Sequence, residues 1–116
     1  YEIHYAGAAG LDIKGTEVLC HAKTEEETVE IVAALIQLYR EQGRYLERIY
    51  KWAKRVGEES IKEAVVDDLD KRRALVERFA ISQKHAQDDP WAARARGADA
   101  HEFAPLYDFA KLEAAE

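Results

Sequence analysis

The sequence predicts an α+β fold that is mostly α, with a short N-terminal antiparallel β-hairpin, three to five helices and an extended C-terminal tail. Two patterns lead to this fold class. Apolar and polar residues alternate in 1–5 and again in 11–14, which is the period of a half-buried strand. From residue 24 onward, apolar residues recur every three or four positions, as on one face of a helix. A chain of 116 residues is long enough to bury one hydrophobic core.

The strands come first. Residues 1–5 form the first strand, a second short alternation covers 11–14, and residues 16–21 form another extended stretch after a turn at Gly15. Between them lies the loop Ala6-Gly7-Ala8-Ala9-Gly10. Small residues directly after a strand let the backbone approach a planar ligand or an anion. An ordinary hairpin connection is the alternative interpretation of the same residues.

The first helix is predicted to begin after Thr24 and to end at Gly43. Thr24 and Glu27 have the spacing of a capping box, and the run Glu25-Glu26-Glu27 suits the positive end of the helix dipole. Two neighbouring apolar stripes predict burial on more than one side of this helix. They are Val29, Val32, Ala33 and Ile36, and Ile31, Leu35 and Leu38.

Further helical stretches follow. One carries Leu46, Ile49, Tyr50 and Ala53 and ends at Gly57, and the next carries Ile61, Ala64, Val65 and Leu69. Asp68 or Asp70 then caps a helix with Leu75, Val76, Phe79 and Ala80 inward and Lys71, Arg72, Arg73 and Arg78 outward. Asp89-Pro90 predicts a short helix that stops at Gly97. Phe103, Leu106, Tyr107 and Phe109 predict a tail that docks onto the body or onto a partner surface.

Composition excludes several function classes. The net charge is −6 and the pI about 5.3, and nine acidic residues interleave the twelve basic residues of 40–87, so a nucleic-acid interface is not expected. The interleaving instead predicts ion pairs such as Glu47–Lys51 and Glu58–Lys62. No apolar run reaches the ~18 residues that span a membrane. Because the sequence has no methionine, we expect it to be part of a larger protein.

No catalytic centre and no metal site are predicted. The four histidines are dispersed without metal-ligand spacing, and one cysteine cannot form a disulfide or an all-cysteine cluster. Cys20 could act with His21, but neighbours on a strand point to opposite faces, so a buried structural cysteine is preferred. Trp52 and Trp91 are predicted to be core or docking anchors.

Several motifs resemble one protein family when they are taken together. Tyr1-Glu2-Ile3-His4-Tyr5, the small loop, Glu17-Val18-Leu19-Cys20 and Thr24-Glu25-Glu26-Glu27 resemble the end of the siroheme and iron–sulfur domain of nitrite and sulfite reductases. The later motifs resemble the C-terminal end of the large subunit of bacterial NAD(P)H-dependent assimilatory nitrite reductases. They are the stretch from Leu38 to Arg48, Trp52, Arg55-Val56-Gly57, Val65-Val66-Asp67-Asp68, Ser82-Gln83, Asp89-Pro90-Trp91 and His101-Glu102-Phe103-Ala104-Pro105.

The resemblance implies a parent enzyme that reduces nitrite to ammonium and contains siroheme, a 4Fe-4S cluster and FAD. None of these cofactors is expected to be bound by this segment alone, which should be structural and inactive. The family loop reads Gly-Gly-Asn-Gly-Gly near the siroheme; here Ala8 replaces the asparagine, and Gly7 and Gly10 are the expected siroheme-adjacent positions. Residues 1–45 would end the siroheme/iron–sulfur domain, and 46–116 would form a helical extension packed on it.

The expected partners are the rest of the large subunit and a small Rieske-like subunit, in the cytoplasm, with neither nucleic acid nor membrane. Homodimers are expected if the hairpin loses its sheet neighbours and its unpaired edges pair with another copy. Two alternatives stay open: a free-standing helical protein-interaction module, and the equivalent segment of a sulfite reductase.

Overall fold

The computed structural model describes residues 1–86, 89–97 and 100. The chain divides after Lys84 into two units, which are described separately. The first unit has short antiparallel strands followed by helices, so the predicted fold class is confirmed. The boundary expected at residue 45 stays a prediction.

One hairpin lies inside another at the start of the chain. The outer pair joins β1 (Glu2–Tyr5) to β4 (Glu17–His21), and the inner pair joins β2 (Ala8–Ala9) to β3 (Ile13–Lys14). An irregularity in the outer pair lies between Ile3 and His4. Ile3 and Tyr5 are buried while Glu2 and His4 are exposed, which is the predicted alternation.

Helix α1 (Glu25–Gln42) has the predicted ends. The Oγ1 atom of Thr24 accepts a hydrogen bond from the Glu27 amide at 3.1 Å, and the Gly43 amide donates to the Tyr39 carbonyl at 2.7 Å. The expectation of burial on more than one side was wrong for three residues of one stripe. Ile31, Leu35 and Leu38 are buried, and so is Ala33 of the other stripe, whereas Val29, Val32 and Ile36 of that stripe are exposed among the described residues.

The next helices are α2 (Ile49–Val56) and α3 (Glu58–Lys62), and a π-helix (Glu63–Asp67) continues from α3. Gly57 joins α2 to α3 with φ = 89°, a conformation that favours glycine. Leu46 was predicted to belong to this helix but lies before α2 and is exposed, because the chain enters the helix only after Arg48.

Helix α4 (Leu69–His85) begins as predicted, since Oδ1 of Asp68 accepts hydrogen bonds from the amides of Asp70 and Lys71, both at 3.1 Å. Its predicted faces need correction. Leu75 is buried, Val76 and Phe79 are half-buried and Ala80 is exposed.

Arg72 was predicted to face outward but is buried. Its Nε atom donates to Glu30 at 3.0 Å and its Nη1 atom lies 3.4 Å from the Val66 carbonyl, so the buried cation is paired. A second arginine joins the same two helices. Arg78 forms two hydrogen bonds to Glu41 of α1, at 2.6 and 3.1 Å.

The core lies where the outer hairpin, α1, α2 and the π-helix meet. Trp52, Ile31, Ile61 and Val65 are its largest fully buried side chains. The rings of Trp52 and Tyr39 pack at a tilt, with centroids 5.3 Å apart. Trp52 is therefore the core anchor that the sequence predicted.

In the second unit, α5 (Pro90–Ala95) begins as predicted at Asp89, whose Oδ1 accepts hydrogen bonds from the amides of Trp91 and Ala92. Gly97 follows the helix with φ = 85°. Trp91 is exposed within the described residues. The tail side chains Phe103, Leu106, Tyr107 and Phe109 lie outside the described residues. No helix in the described part of the chain is long and apolar enough to cross a membrane.

Candidate functional site

The candidate site is a cleft of about 700 Å³ beside the inner hairpin. One wall is the loop that the sequence singled out, and the other is the segment leading into α2. The lining residues are Gly7, Ala8, Ala9, Gly10, Leu11, Asp12, Leu46, Arg48, Ile49, Tyr50 and Lys51. The cleft volume falls within the range of small-molecule and cofactor sites.

Gly7 and Gly10 both line this cleft, but they lack a side chain for different reasons. A Cβ atom on Gly7 would lie 2.8 Å from Cγ2 of Thr16, so close packing within the hairpins explains this glycine. A Cβ atom on Gly10 would have no neighbour within 4 Å in the part of the chain that the structure describes. Packing among the described residues therefore does not require glycine at position 10, where open space lies beside the backbone of the cleft wall.

The second wall carries cations that the sequence analysis did not assign to the site. Arg48 immediately precedes α2, and Lys51 lies in its first turn, with Nζ 5.9 Å from the centroid of the Tyr50 ring. Neither side chain forms an ion pair with any described residue. The carboxylate of Asp12 is the acidic group of the lining. The sequence feature that could have identified these cations is the series of basic residues between positions 40 and 55.

A polar network holds the segment between α1 and α2. Glu47 accepts hydrogen bonds from Nε and Nη2 of Arg55, at 2.8 and 2.7 Å, and the second nitrogen also donates to the Gln42 carbonyl at 2.9 Å. The hydroxyl of Tyr39 donates to the Glu47 carbonyl. These bonds tie Glu47, the residue after Leu46, to α1 and α2, which holds this wall of the cleft in place.

The same network has an electrostatic consequence. The Arg55 hydrogen bonds, together with the Arg44 amide, lower the pKa of the Glu47 carboxyl from 4.5 to about 2. The predicted pair Glu47–Lys51 does not form, because Glu47 precedes α2 and binds Arg55 instead. The predicted pair Glu58–Lys62 does not form either, and both side chains are exposed.

His4 and His21, dispersed in the sequence, are brought together on the exposed face of the outer hairpin. Their Nε2 atoms lie 2.5 and 2.7 Å from the two carboxylate oxygens of Glu2, and Nδ1 of His4 lies 2.8 Å from the Thr16 hydroxyl. Hydrogen bonds with His4 and His21 lower the pKa of the Glu2 carboxyl, and the bond with His4 has the larger effect. Sequence reasoning missed this cluster because its pairing depends on strand register.

Cys20 is half-buried rather than fully buried, and burial raises the pKa of its thiol. This disfavours the reactive thiolate. Within residues 1–86, 89–97 and 100, no three His, Cys, Asp or Glu side chains are grouped to hold a metal ion.

A sequence model of one family, the nitrite and sulphite reductase 4Fe-4S domain, matches residues 1–73. The chain belongs to this family. The matched region contains both walls of the cleft and runs past the domain boundary expected at residue 45. The resemblance inferred from the motifs is thus confirmed at the level of the family, which disfavours an unrelated interaction module.

Two relatives come from Bacillus subtilis (strain 168). The chain is 34% identical to "Nitrite reductase [NAD(P)H]" over 91 residues, which cover 78% of the chain and 11% of that protein. It is 32% identical to "Assimilatory nitrate reductase electron transfer subunit" over 77 residues, which cover 66% of the chain and 10% of that protein. The chain therefore spans about a tenth of the length of these relatives. No solved structure matches.

Proposed function

We propose that this chain is the C-terminal segment of the large subunit of an NAD(P)H-dependent nitrite reductase, a cytoplasmic enzyme that reduces nitrite to ammonium. Within that enzyme the segment is structural, and its small-residue loop lies beside the siroheme. The family match over residues 1–73 carries this proposal, since it includes the loop and the facing wall of the cleft. The 34% identity to a nitrite reductase supports the choice of parent enzyme.

The cleft fits part of a siroheme. This cofactor is a planar tetrapyrrole with several carboxylates, so it needs an unobstructed slot and nearby cations. The open space at Gly10 supplies the first requirement, and Arg48 and Lys51 supply the second. When bound, siroheme supplies the iron that takes the substrate and the conjugated ring that conducts electrons to it. The chain's own contribution is to orient the ring edge and neutralise its carboxylates.

The iron–sulfur cluster does not fit this chain's residues. A 4Fe-4S cluster takes four cysteine thiolates, and the sequence has only Cys20. Its thiol pKa is raised rather than lowered. Cysteines elsewhere in the large subunit would hold the cluster, and FAD would bind there too. A small Rieske-like subunit is the proposed second partner.

A matched pair of substitutions in the intact parent enzyme tests the siroheme contact. Gly10→Leu places a side chain in the cleft. Gly15→Leu is the control, because Gly15 does not line the cleft and, as at Gly10, a Cβ there has no described neighbour within 4 Å. We expect Gly10→Leu, but not Gly15→Leu, to lower siroheme content, measured by absorbance and extraction. Equal siroheme content in both variants would refute the contact.

A pair of charge-reversal substitutions provides a second test of the siroheme contact. Arg48→Glu reverses a cation of the cleft, and Lys54→Glu reverses an exposed cation of α2 outside it. Only the first should reduce siroheme content.

Assays of the parent with nitrite and with sulfite then choose between two reductases, because the matched family includes both. Preferential turnover of sulfite would replace the proposed substrate while leaving the siroheme contact in place.

A further inference from the structure

A second surface lies between α1 and α4, away from the cleft. It is a groove of about 610 Å³ that we call the acidic groove. Val29 and Val76 supply its apolar part. Its charged residues are Glu25, Glu26, Glu30, Arg73 and Glu77. Two of these lining residues, Val76 and Glu77, lie beyond the part of the chain that matches the family.

The apolar part continues along α1. Val29, Val32 and Ile36 are 64%, 36% and 40% exposed, and spacings of three and four residues place them on one face of the helix. They extend over two turns, about 10 Å. Aliphatic side chains in a row beside a groove are characteristic of a helix-in-groove contact, in which a partner helix inserts side chains at the same spacing.

The charges of the groove select the partner. Glu30 already pairs with Arg72, but Glu25, Glu26 and Glu77 form no ion pair with any described residue. Glu25 and Glu26 are explained by their place at the start of α1, where their charges interact favourably with the positive end of the helix dipole. Glu77 lies in the middle of α4, where no helix end explains it. The surface is therefore acidic on both sides of the apolar stripe.

This charge pattern excludes several occupants. A nucleic acid or an anionic membrane would be repelled by the carboxylates. A second copy placed symmetrically would bring two acidic surfaces together, and each described groove lining has four carboxylates but one cation, Arg73, to offset them. A partner with lysine or arginine beside apolar side chains satisfies both the charge and the apolar stripe.

We propose that the acidic groove binds a basic amphipathic helix of a partner protein. The apolar edge of that helix packs on Val29, Val32 and Val76, and its lysines or arginines face Glu25, Glu26 and Glu77. This inference does not depend on the siroheme proposal, because the two surfaces share no lining residue.

The test uses the full chain and a synthetic helical peptide of about 18 residues, or five turns. The peptide has leucine along one edge and lysine on both flanks, and a matched peptide has glutamate in place of every lysine. Binding is measured by titration calorimetry at low and high salt. We expect the lysine peptide to bind at least tenfold more tightly, with an affinity that falls as salt rises. Chemical shifts of the valine methyl groups locate the contact.

Variants of exposed residues separate the groove from the rest of the surface. Val29→Ser should weaken binding about tenfold, whereas Val18→Ser, at an exposed valine of β4, should leave it unchanged. Glu77→Lys should weaken binding about fivefold at low salt, whereas Glu59→Lys on α3 should not.

Three results would overturn the proposal. The first is equal affinity for the two peptides, and the second is shift changes at Val18 rather than at Val29 and Val76. The third is a dimer of the chain, measured by analytical ultracentrifugation, that Val29→Ser dissociates, because the occupant would then be a second copy.

Discussion

Removing the indole of Trp52 tests whether the core lies where the structure places it. The side chain is fully buried and packs on Tyr39. A buried tryptophan removes about 150–250 Å² from water, which at about 25 cal/mol per Å² corresponds to roughly 4–6 kcal/mol. Substitutions of buried tryptophan by alanine commonly cost about 3–5 kcal/mol. We therefore expect Trp52→Ala to lower the free energy of unfolding by about 4 kcal/mol.

Trp52→Phe should cost less, about 1–2 kcal/mol, because it retains a ring in the core. It also loses the hydrogen bond from Nε1 to Gln42 Oε1 at 3.3 Å, but Gln42 is exposed and water can replace the donor.

Urea unfolding followed by circular dichroism measures these free energies. Trp91→Ala is the matched control, since Trp91 is 74% exposed and should change stability by less than about 0.5 kcal/mol. If Trp52→Ala cost less than about 1 kcal/mol, or no more than Trp91→Ala, the assignment of the core would be refuted.

Two further predictions concern the cleft walls. The Glu47 pKa is lowered from 4.5 to about 2, so its contribution to stability is present above pH 4.5 and is lost as pH falls toward 2. Glu47→Gln should therefore be less stable than the wild type at pH 7 and converge with it in acid, in urea titrations at several pH values; parallel pH profiles would contradict the Arg55 pairing. Gly7→Ala should cost about 1–3 kcal/mol through its contact with Thr16, and Thr16→Ser should recover most of it by removing Cγ2. Gly10→Ala should be neutral. Thermal melting measures these variants, and a similar loss of stability at both glycines would count against the contact.

Local signals in the sequence predicted the ends of the helices. Thr24, Asp68 and Asp89 cap α1, α4 and α5 as expected, because a cap bonds to amides only two or three residues away. Gly43 and Gly57 end α1 and α2 at the predicted positions. Gly7 and Gly10 were assigned to one candidate site, and both line the cleft. Whether siroheme occupies it stays a prediction.

What the sequence could not predict depends on residues distant in the chain. The helical pattern predicts that Arg72 faces solvent. The side chain is nevertheless buried, because Glu30, 42 residues away, pairs with it. Likewise, Val29 and Ile31 both lie on apolar stripes, and periodicity alone does not distinguish the covered stripe from the exposed one. The cations of the cleft were missed for the same reason, since Arg48 meets the loop only after the chain folds back.

The attachment of α4 has a consequence for the dynamics of the fold. Of its 17 residues, only Leu75 and Arg72 are buried, and Arg72–Glu30 and Arg78–Glu41 join it to α1. Salt screens an exposed pair such as Arg78–Glu41 and weakens it, whereas the pair of the buried Arg72 and the apolar packing are affected much less. Raising the ionic strength should therefore speed the hydrogen exchange of α4 amides more than that of α1 amides. Salt concentration therefore controls how readily α4 separates from α1, while the core around Trp52 stays folded.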